Sequence, residues 1–246
     1  MILDIDVGNS FVKWRLTDGV EIRQFGSQAT KSIDPRRGLD VPEEFPISQV
    51  RLSSVAANSV QKDLVAQVKS QFNAEVTLAK VSSVAAGVRC GYADPSSLGV
   101  DRWLALVAAY DRYQASVIIV DAGSAMTLDL VSEDGRHLGG YILPGLSLMR
   151  DALWRGTDRV KVDAVVNDCG IDPAKDTTAA VNQGSLLAAI ATIEKLANEY
   201  PSKLVVTGGD ARKLLPHLNG NVDYLPDLVL DGLALGAVLT LSLIHI

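Results

Sequence analysis

The chain has 246 residues, 48% of them hydrophobic, which is enough to bury one large core or two modest ones packed across a cleft, so length leaves one domain or two open. A formal net charge of −6 at pH 7 gives the chain as a whole no attraction to nucleic acid or anionic lipid. Cys90 and Cys169 are too far apart for a secreted disulfide framework or a zinc motif. With no basic leader or apolar signal core in MILDIDVGNS, and no run near the roughly 18 apolar residues that span a bilayer, a cytoplasmic protein without nucleic-acid or membrane partners is expected.

In chain order, ILDIDV at residues 2–7 alternates apolar and acidic positions, as a strand with one wet face does. Gly8-Asn9 is a hairpin-turn dipeptide, and FVKWRL at 11–16 resumes strand character before the turn at Asp18-Gly19. The chain is thus expected to open as a β-hairpin whose turn carries Asp6, Gly8, Asn9 and Ser10. Residues 30–46, rich in proline, glycine and charge, read as an irregular connection. Strands over 50–55 and 74–81 should flank a helix over 59–71 with Val60, Leu64, Val68 and Phe72 on one side. RCGYADPSSLGV at 89–100 is turn-rich, and Asp101 opens a helix with Trp103, Leu106, Val107 and Tyr110 at helical spacing.

Strands are expected at 117–120 and 126–131 on either side of a small polar patch, with a third at 137–143 stopped by Pro144-Gly145. A helix over 147–155 and a long one over 179–198 follow, the second with Leu186, Leu187, Ile190, Ile193, Leu196 and Ala197 on its apolar face. A short strand at 203–206 ends at Thr207-Gly208-Gly209-Asp210, a helical turn covers 211–218, and the tail from Leu233 reads as a terminal core helix, with LSLIHI unusually apolar for a chain end. Three times, at Asp6–Ser10, Asp121–Ser124 and Thr207–Gly209, an apolar strand stops at small residues. The first two are D-x-G turns half a chain apart, which implies an internally duplicated α/β architecture, divided as residues 1–115 and 116–246.

Glycines at 8 and 123 let backbone N–H groups approach a ligand and permit turn dihedrals that other residues resist. Such amides, with the hydroxyls of Ser10, Ser124 and Thr127, suit anionic phosphate oxygens. Asp6 and Asp121 would repel bare phosphate, so their presence implies a nucleotide accompanied by a cation. Each D-x-G is equally compatible with an ordinary hairpin turn whose glycine has positive φ. Neither a P-loop nor a strand-linked G-x-G-x-x-G occurs. Asp101-Arg102 is the best pair for chemistry, an aspartate able to deprotonate a hydroxyl beside an arginine able to fork onto a carboxylate or phosphoryl group. The bland alternative makes Asp101 a helix cap and Arg102 a surface residue. Lys13 on the return strand either reaches polyphosphate or faces solvent, and His137, His217 and His245 form no metal-binding cluster in sequence.

Six features in fixed order carry a resemblance: D-x-G-N-[ST] at Asp6–Ser10 with Lys13; Tyr92-Ala93-Asp94-Pro95 before Leu98-Gly99-Val100-Asp101-Arg102-Trp103; D-x-G-[ST] at Asp121–Ser124 with Thr127 and Asp129; Gly139-Gly140 through Gly145; Thr207-Gly208-Gly209; and Leu230-Asp231-Gly232-Leu233. The chain resembles the type III pantothenate kinases, bacterial enzymes of coenzyme A synthesis in the superfamily of acetate kinase, sugar kinases and actin. The resemblance implies an α/β fold of duplicated ribonuclease H-like (actin-like ATPase) domains with mixed sheets flanked by helices, ATP in the cleft, and phosphorylation of pantothenate to 4′-phosphopantothenate. It also implies that Asp6, Val7, Gly8, Asn9, Ser10, Phe11, Val12 and Lys13 form the first phosphate loop and Gly123 and Ser124 the second. Asp101 becomes the general base, and Tyr92, Gly99, Val100, Asp101, Arg102 and Thr178 contact pantothenate. Magnesium with ATP, held by Asp6 through water, a potassium or ammonium ion at Asp121, and a homodimer complete the implied picture. Ser10 and Ser124 stand where the family usually has threonine; serine keeps the donor hydroxyl and loses a methyl. The rival functions are a sugar or small-acid kinase of the same superfamily, and a non-catalytic ATP-binding module that meets a partner through residues 103–110 or 186–197.

Overall fold

A computed structural model describes residues 1–33, 38–42, 44–55, 58–162, 170–235 and 239–241. Cys169, His245, the rest of 242–246 and the facing of Val60 lie outside the described residues. The chain runs β1 (Ile2–Val7), β2 (Phe11–Thr17), β3 (Ile22–Ala29), β4 (Gln49–Ser54), α1 (Asn58–Phe72), β5 (Glu75–Ala79), the short ribbon β6 (Val84–Ala85) and β7 (Val88–Arg89), and α2 (Val100–Tyr113). It continues through β8 (Val117–Ala122), β9 (Ala125–Val131), β10 (His137–Pro144), α3 (Leu146–Gly156), α4 (Thr177–Glu199), β11 (Lys203–Thr207), α5 (Ala211–Leu214), β12 (Val222–Tyr224), α6 (Leu228–Ala234) and β13 (Leu239–Leu241). These fall into two compact units, Met1–Asp111 with Asp227–Ile246, and Arg112–Pro226.

The first unit holds a six-stranded sheet in the order β13-β5-β4-β1-β2-β3. β1, β2 and β3 form an antiparallel meander, while β4 lies parallel to β1 and β5 parallel to β4. Alternation sorts the side chains. Leu3, Ile5 and Val7 of β1, Val12, Trp14 and Leu16 of β2, and Val50 and Leu52 of β4 build the core with Leu64, Val65 and Val68 of α1. The opposite face carries rows of polar residues, Arg15–Asp4–Arg51 and Lys13–Asp6–Ser53, set by register. α6 packs on this sheet through β1 and β4.

The second unit repeats the plan in a sheet ordered β10-β9-β8-β11-β12. β8, β9 and β10 are again an antiparallel meander, with β11 parallel to β8 and β12 parallel to β11. Its core joins Ile118, Val120, Leu128 and Val206 of the sheet to Leu186, Ile190, Ile193 and Leu196 of α4. The order β3-β2-β1-β4-β5 of one unit equals β10-β9-β8-β11-β12 of the other, which makes the duplication expected from the two D-x-G turns explicit.

Three expectations are corrected. The division into 1–115 and 116–246 misplaces the end of the chain, because residues 227–246 belong to the first unit. The tail is no continuous helix: α6 stops at Ala234 and residues 239–241 form β13, antiparallel to β5. An edge strand presents unpaired N–H and C=O groups, and β13 satisfies those of β5. Leu187, assigned to the buried face of α4, is 47% exposed, since the single step of about 100° from Leu186 carries it away from the stripe through Leu186, Ile190 and Ile193.

Candidate active site

The first turn joins β1 to β2 through a short backbone link, Gly8 N to Phe11 O at 3.0 Å. Its far side is pinned by Thr30, whose hydroxyl donates to Gly8 O at 2.9 Å and whose N–H donates to Ser10 O at 2.9 Å. Asn9, Ser10 and Phe11 are exposed, Asp6, Gly8 and Lys13 half-buried, and Val7 and Val12 are core residues that anchor the strand ends. Asp6 stands in register with Lys13 on β2 and Ser53 on β4, so the three share one sheet face beneath the turn.

The second unit builds its turn the same way, with Gly123 N donating to Ala125 O at 3.1 Å. Neither Gly8 nor Gly123 has positive φ, so the ordinary hairpin turn with a left-handed glycine is set aside along with the expectation of special dihedrals. Crowding explains Gly8 better: a Cβ there would lie 3.1 Å from Phe11 O. Two segments far along the chain close on the second turn. Gly145 N donates to Ser124 O at 3.0 Å, and a Cβ at 145 would sit 2.2 Å from Gly123 O. Gly208, at φ +92°, approaches so closely that a Cβ would lie 2.5 Å from both Ala122 O and the Asp121 Oδ1. Asp210 N then donates to Ala122 O at 2.9 Å. The third small-residue turn, Thr207–Gly209, therefore belongs to the same site as Asp121, with Thr207 and Asp121 as parallel register partners.

The Asp101 region assembles within the first unit. Asp94 accepts from the Ser96 N–H and hydroxyl at 2.9 and 2.7 Å, which holds its carboxyl below the usual range and fixes the 95–97 turn ahead of α2. Gly99 O accepts from Trp103 N at 3.0 Å, so α2 begins before Asp101. Asp101 lies inside the first turn and its Oδ1 accepts from Arg102 N at 2.8 Å. A Cβ on Gly99 would lie 2.6 Å from that same oxygen, so glycine is what gives the carboxylate its room. Arg102 is only 7% exposed; its guanidinium donates to the Tyr92 hydroxyl at 3.1 Å and lies 5.8 Å from that ring's centre. Arg102 is therefore no surface residue, and Asp101 sits one residue inside α2 rather than at its cap, with its carboxylate bonded to a first-turn backbone N–H. Tyr92, Gly99, Val100, Asp101 and Arg102 come together, whereas Thr178 stands in the second unit, half-buried in the first turn of α4 behind the capping Asp176.

Other expectations shift. Asp129, part of the second D-x-G feature, is buried and lies 3.1 Å from the Nε2 of His137. Residues 103–110 are buried within the chain, so they offer no surface to a partner. Among the described residues no group of three or more His, Cys, Asp or Glu side chains is placed to hold a metal ion, and no helix is long and apolar enough to cross a membrane. Sequence reading missed Thr30, Gly145 and the approach of Gly208 to Asp121; a strand ending in Thr-Gly-Gly was the available signal for the last.

Two sheets of one repeated strand order, each with a small-residue turn after its first strand, define the actin-like ATPase class of fold. The chain is similar to a Campylobacter jejuni structure described as a Baf family transcriptional activator, with TM-score 0.61 and 23% identity over 94% of both chains. It is also similar to a Sinorhizobium meliloti protein described as a 2-dehydro-3-deoxygalactonokinase, with TM-score 0.57 and 11% identity over 97% and 98% of the two chains. More specifically, the family model for type III pantothenate kinase matches residues 2–199. Type III pantothenate kinases of Chromohalobacter salexigens and Ectopseudomonas mendocina are 41% and 37% identical, covering 95% and 98% of this chain and 86% and 100% of their own lengths. The chain belongs to the type III pantothenate kinase family.

Proposed function

We propose that the protein transfers the γ-phosphoryl group of ATP to the primary hydroxyl of pantothenate, releasing ADP and 4′-phosphopantothenate at the start of coenzyme A synthesis in the cytoplasm. The observation that carries this reading is the family match together with Asp101, Arg102, Gly99 and Tyr92 gathered at the head of α2. Asp101 takes the hydroxyl proton as oxygen attacks the γ-phosphorus in line, and the bond to the β–γ bridging oxygen breaks with its electron pair leaving on ADP. Arg102 forks onto the pantothenate carboxylate, and Tyr92 and Val100 complete that pocket. Phosphate oxygens are received by amides and side chains of Asn9, Ser10 and Lys13 in one turn and of Gly123 and Ser124 in the other. Magnesium bound with ATP would neutralise phosphate charge, and Asp6 is the carboxylate that would hold its water shell. Beside Gly208 the Asp121 carboxylate and the Ala122 carbonyl lie close together, oxygens of the kind that would hold potassium or ammonium.

An assay of ADP release with pantothenate, ATP, Mg²⁺ and K⁺ tests the reading directly, with a panel of sugars and small hydroxy acids as rival acceptors. Release must depend on pantothenate; turnover with a sugar instead, or ATP binding without turnover, would overturn the assignment. Asp101→Asn should lower turnover by about 10²-fold or more while retaining ADP binding. Exchanging K⁺ for Na⁺ should reduce the rate if Asp121 holds a monovalent cation. For assembly, the reading is a homodimer, in keeping with Tyr141, Leu148, Leu153 and Leu187, large apolar side chains left exposed on β10, α3 and α4. Light scattering at monomer mass would remove it.

A further inference from the structure

The polar face of the first sheet is organised in rows, and two adjacent rows are treated differently. In the row away from the turn, Asp4 receives Arg15 Nε at 3.1 Å and Arg51 Nε and Nη2 at 2.6 and 2.9 Å. The remaining guanidinium groups donate to Asp231 at 2.6 Å, Leu230 O at 2.6 Å and Ala234 O at 3.1 Å. These contacts confirm that in-register residues of β1, β2 and β4 meet on one face. The next row, two residues nearer the phosphate turn, is Lys13–Asp6–Ser53. Ser53 is 0% exposed, and its Oγ has no hydrogen-bond partner among the described residues. It does not belong to the apolar core, whose β4 members Val50 and Leu52 point to the other face. A buried hydroxyl without a partner is unfavourable, and alanine would fill the same space without that cost.

We propose that Ser53 is a further residue of the nucleotide site, a positioning residue whose hydroxyl binds a water of magnesium hydration alongside Asp6. Magnesium keeps several waters when it binds with phosphates, and those polarised waters need acceptors for their protons. The Asp6 carboxylate supplies one acceptor, and the Ser53 oxygen, its in-register neighbour with no hydrogen-bond partner of its own among the described residues, supplies a second. This inference rests on the reading of Asp6 as the aspartate of the first phosphate turn.

The test uses the full chain and measures ADP affinity by calorimetry with and without Mg²⁺, beside thermal melting. Ser53→Ala should melt at or above the parent temperature and bind metal-free ADP normally. It should lose about fivefold to tenfold of the gain in ADP affinity that Mg²⁺ confers, the worth of one hydrogen bond. An unchanged Mg²⁺-dependent gain in Ser53→Ala overturns the proposal. Should that variant fail to fold, Ser53→Cys, of similar volume and a much weaker acceptor, replaces it with the same expectation. Asp6→Asn run in parallel separates the two readings: if it abolishes the Mg²⁺-dependent gain while Ser53→Ala does not, only the role of Ser53 falls. If Asp6→Asn leaves the gain intact, the assignment of Asp6 falls, and the proposal falls with it.

Discussion

Asp4 and Asp6 differ by one step of the pleat repeat, yet their surroundings ask different things of them. Asp4 is completely buried between Arg15 and Arg51, and its carboxylate is what permits two guanidinium groups to be almost wholly enclosed. Removing one partner of a buried ion pair leaves uncompensated charge, so Asp4→Asn should destabilise the first unit by about 3–5 kcal/mol, read from urea unfolding. Loss of less than about 1 kcal/mol would mean the arginines find water instead. A second residue-scale expectation concerns pH. Hydrogen bonds from Lys203 and then Tyr113 hold the Asp223 carboxyl below its ordinary range. A depressed carboxylate contributes stability that is present above its unfolded pKa, about 4, and is lost as pH falls through the folded value. Melting temperature should therefore drop more steeply below pH 4 in the parent than in Asp223→Asn; equal slopes would exclude the contribution.

At the scale of elements, α6 is held from two sides. Arg15 and Arg51 grip its Leu230 and Ala234 carbonyls, and Gly232 lies against α2, where a Cβ would come within 2.4 Å of Leu104 O. Leu104 is one turn beyond Asp101, so displacing α6 displaces the helix that carries the proposed base. Gly232→Ala should cost about 1–3 kcal/mol by overpacking and reduce kcat with little change in KM for ATP; a normal kcat in the folded variant would separate α6 from catalysis. The same elements show what a sequence discloses. α1, α2 and α4 were legible because one apolar stripe recurs over several turns, and both D-x-G turns were legible because strand, aspartate and glycine are contiguous. β3 escaped notice because it is half solvated, with Ile22 and Phe25 exposed, so no apolar alternation marks it. β13 is a short strand paired with the edge of β5, a partner remote in the chain. Thr30, Gly145 and Ser53 owe their places at the sites to partners remote in the chain, and no local pattern reports such a meeting.

The whole molecule repeats one sheet plan twice but closes the copies differently. In the second unit the connection from the meander to the parallel strands carries α3 and α4, and that unit's core is complete within residues 112–226. In the first unit the equivalent connection contributes no α-helix among its described residues, and the returning segment supplies α6 and β13 instead. Leu228, Leu230 and Leu233 of that segment are 1%, 2% and 0% exposed. At about 1.5–3 kcal/mol for each buried leucine, their removal approaches the 5–15 kcal/mol that typically separates a folded domain from its unfolded chain. It would also uncover Arg15 and Arg51. A chain ended after Pro226 should therefore lose the first unit's cooperative fold while keeping the second. Hydrogen exchange read by mass spectrometry should show amide protection lost across β1, β4 and β5 and retained across β8, β9 and β11. Protection retained in β1 and β4 would mean that the first sheet and α1 suffice, and that α6 serves the active helix rather than the stability of its own unit.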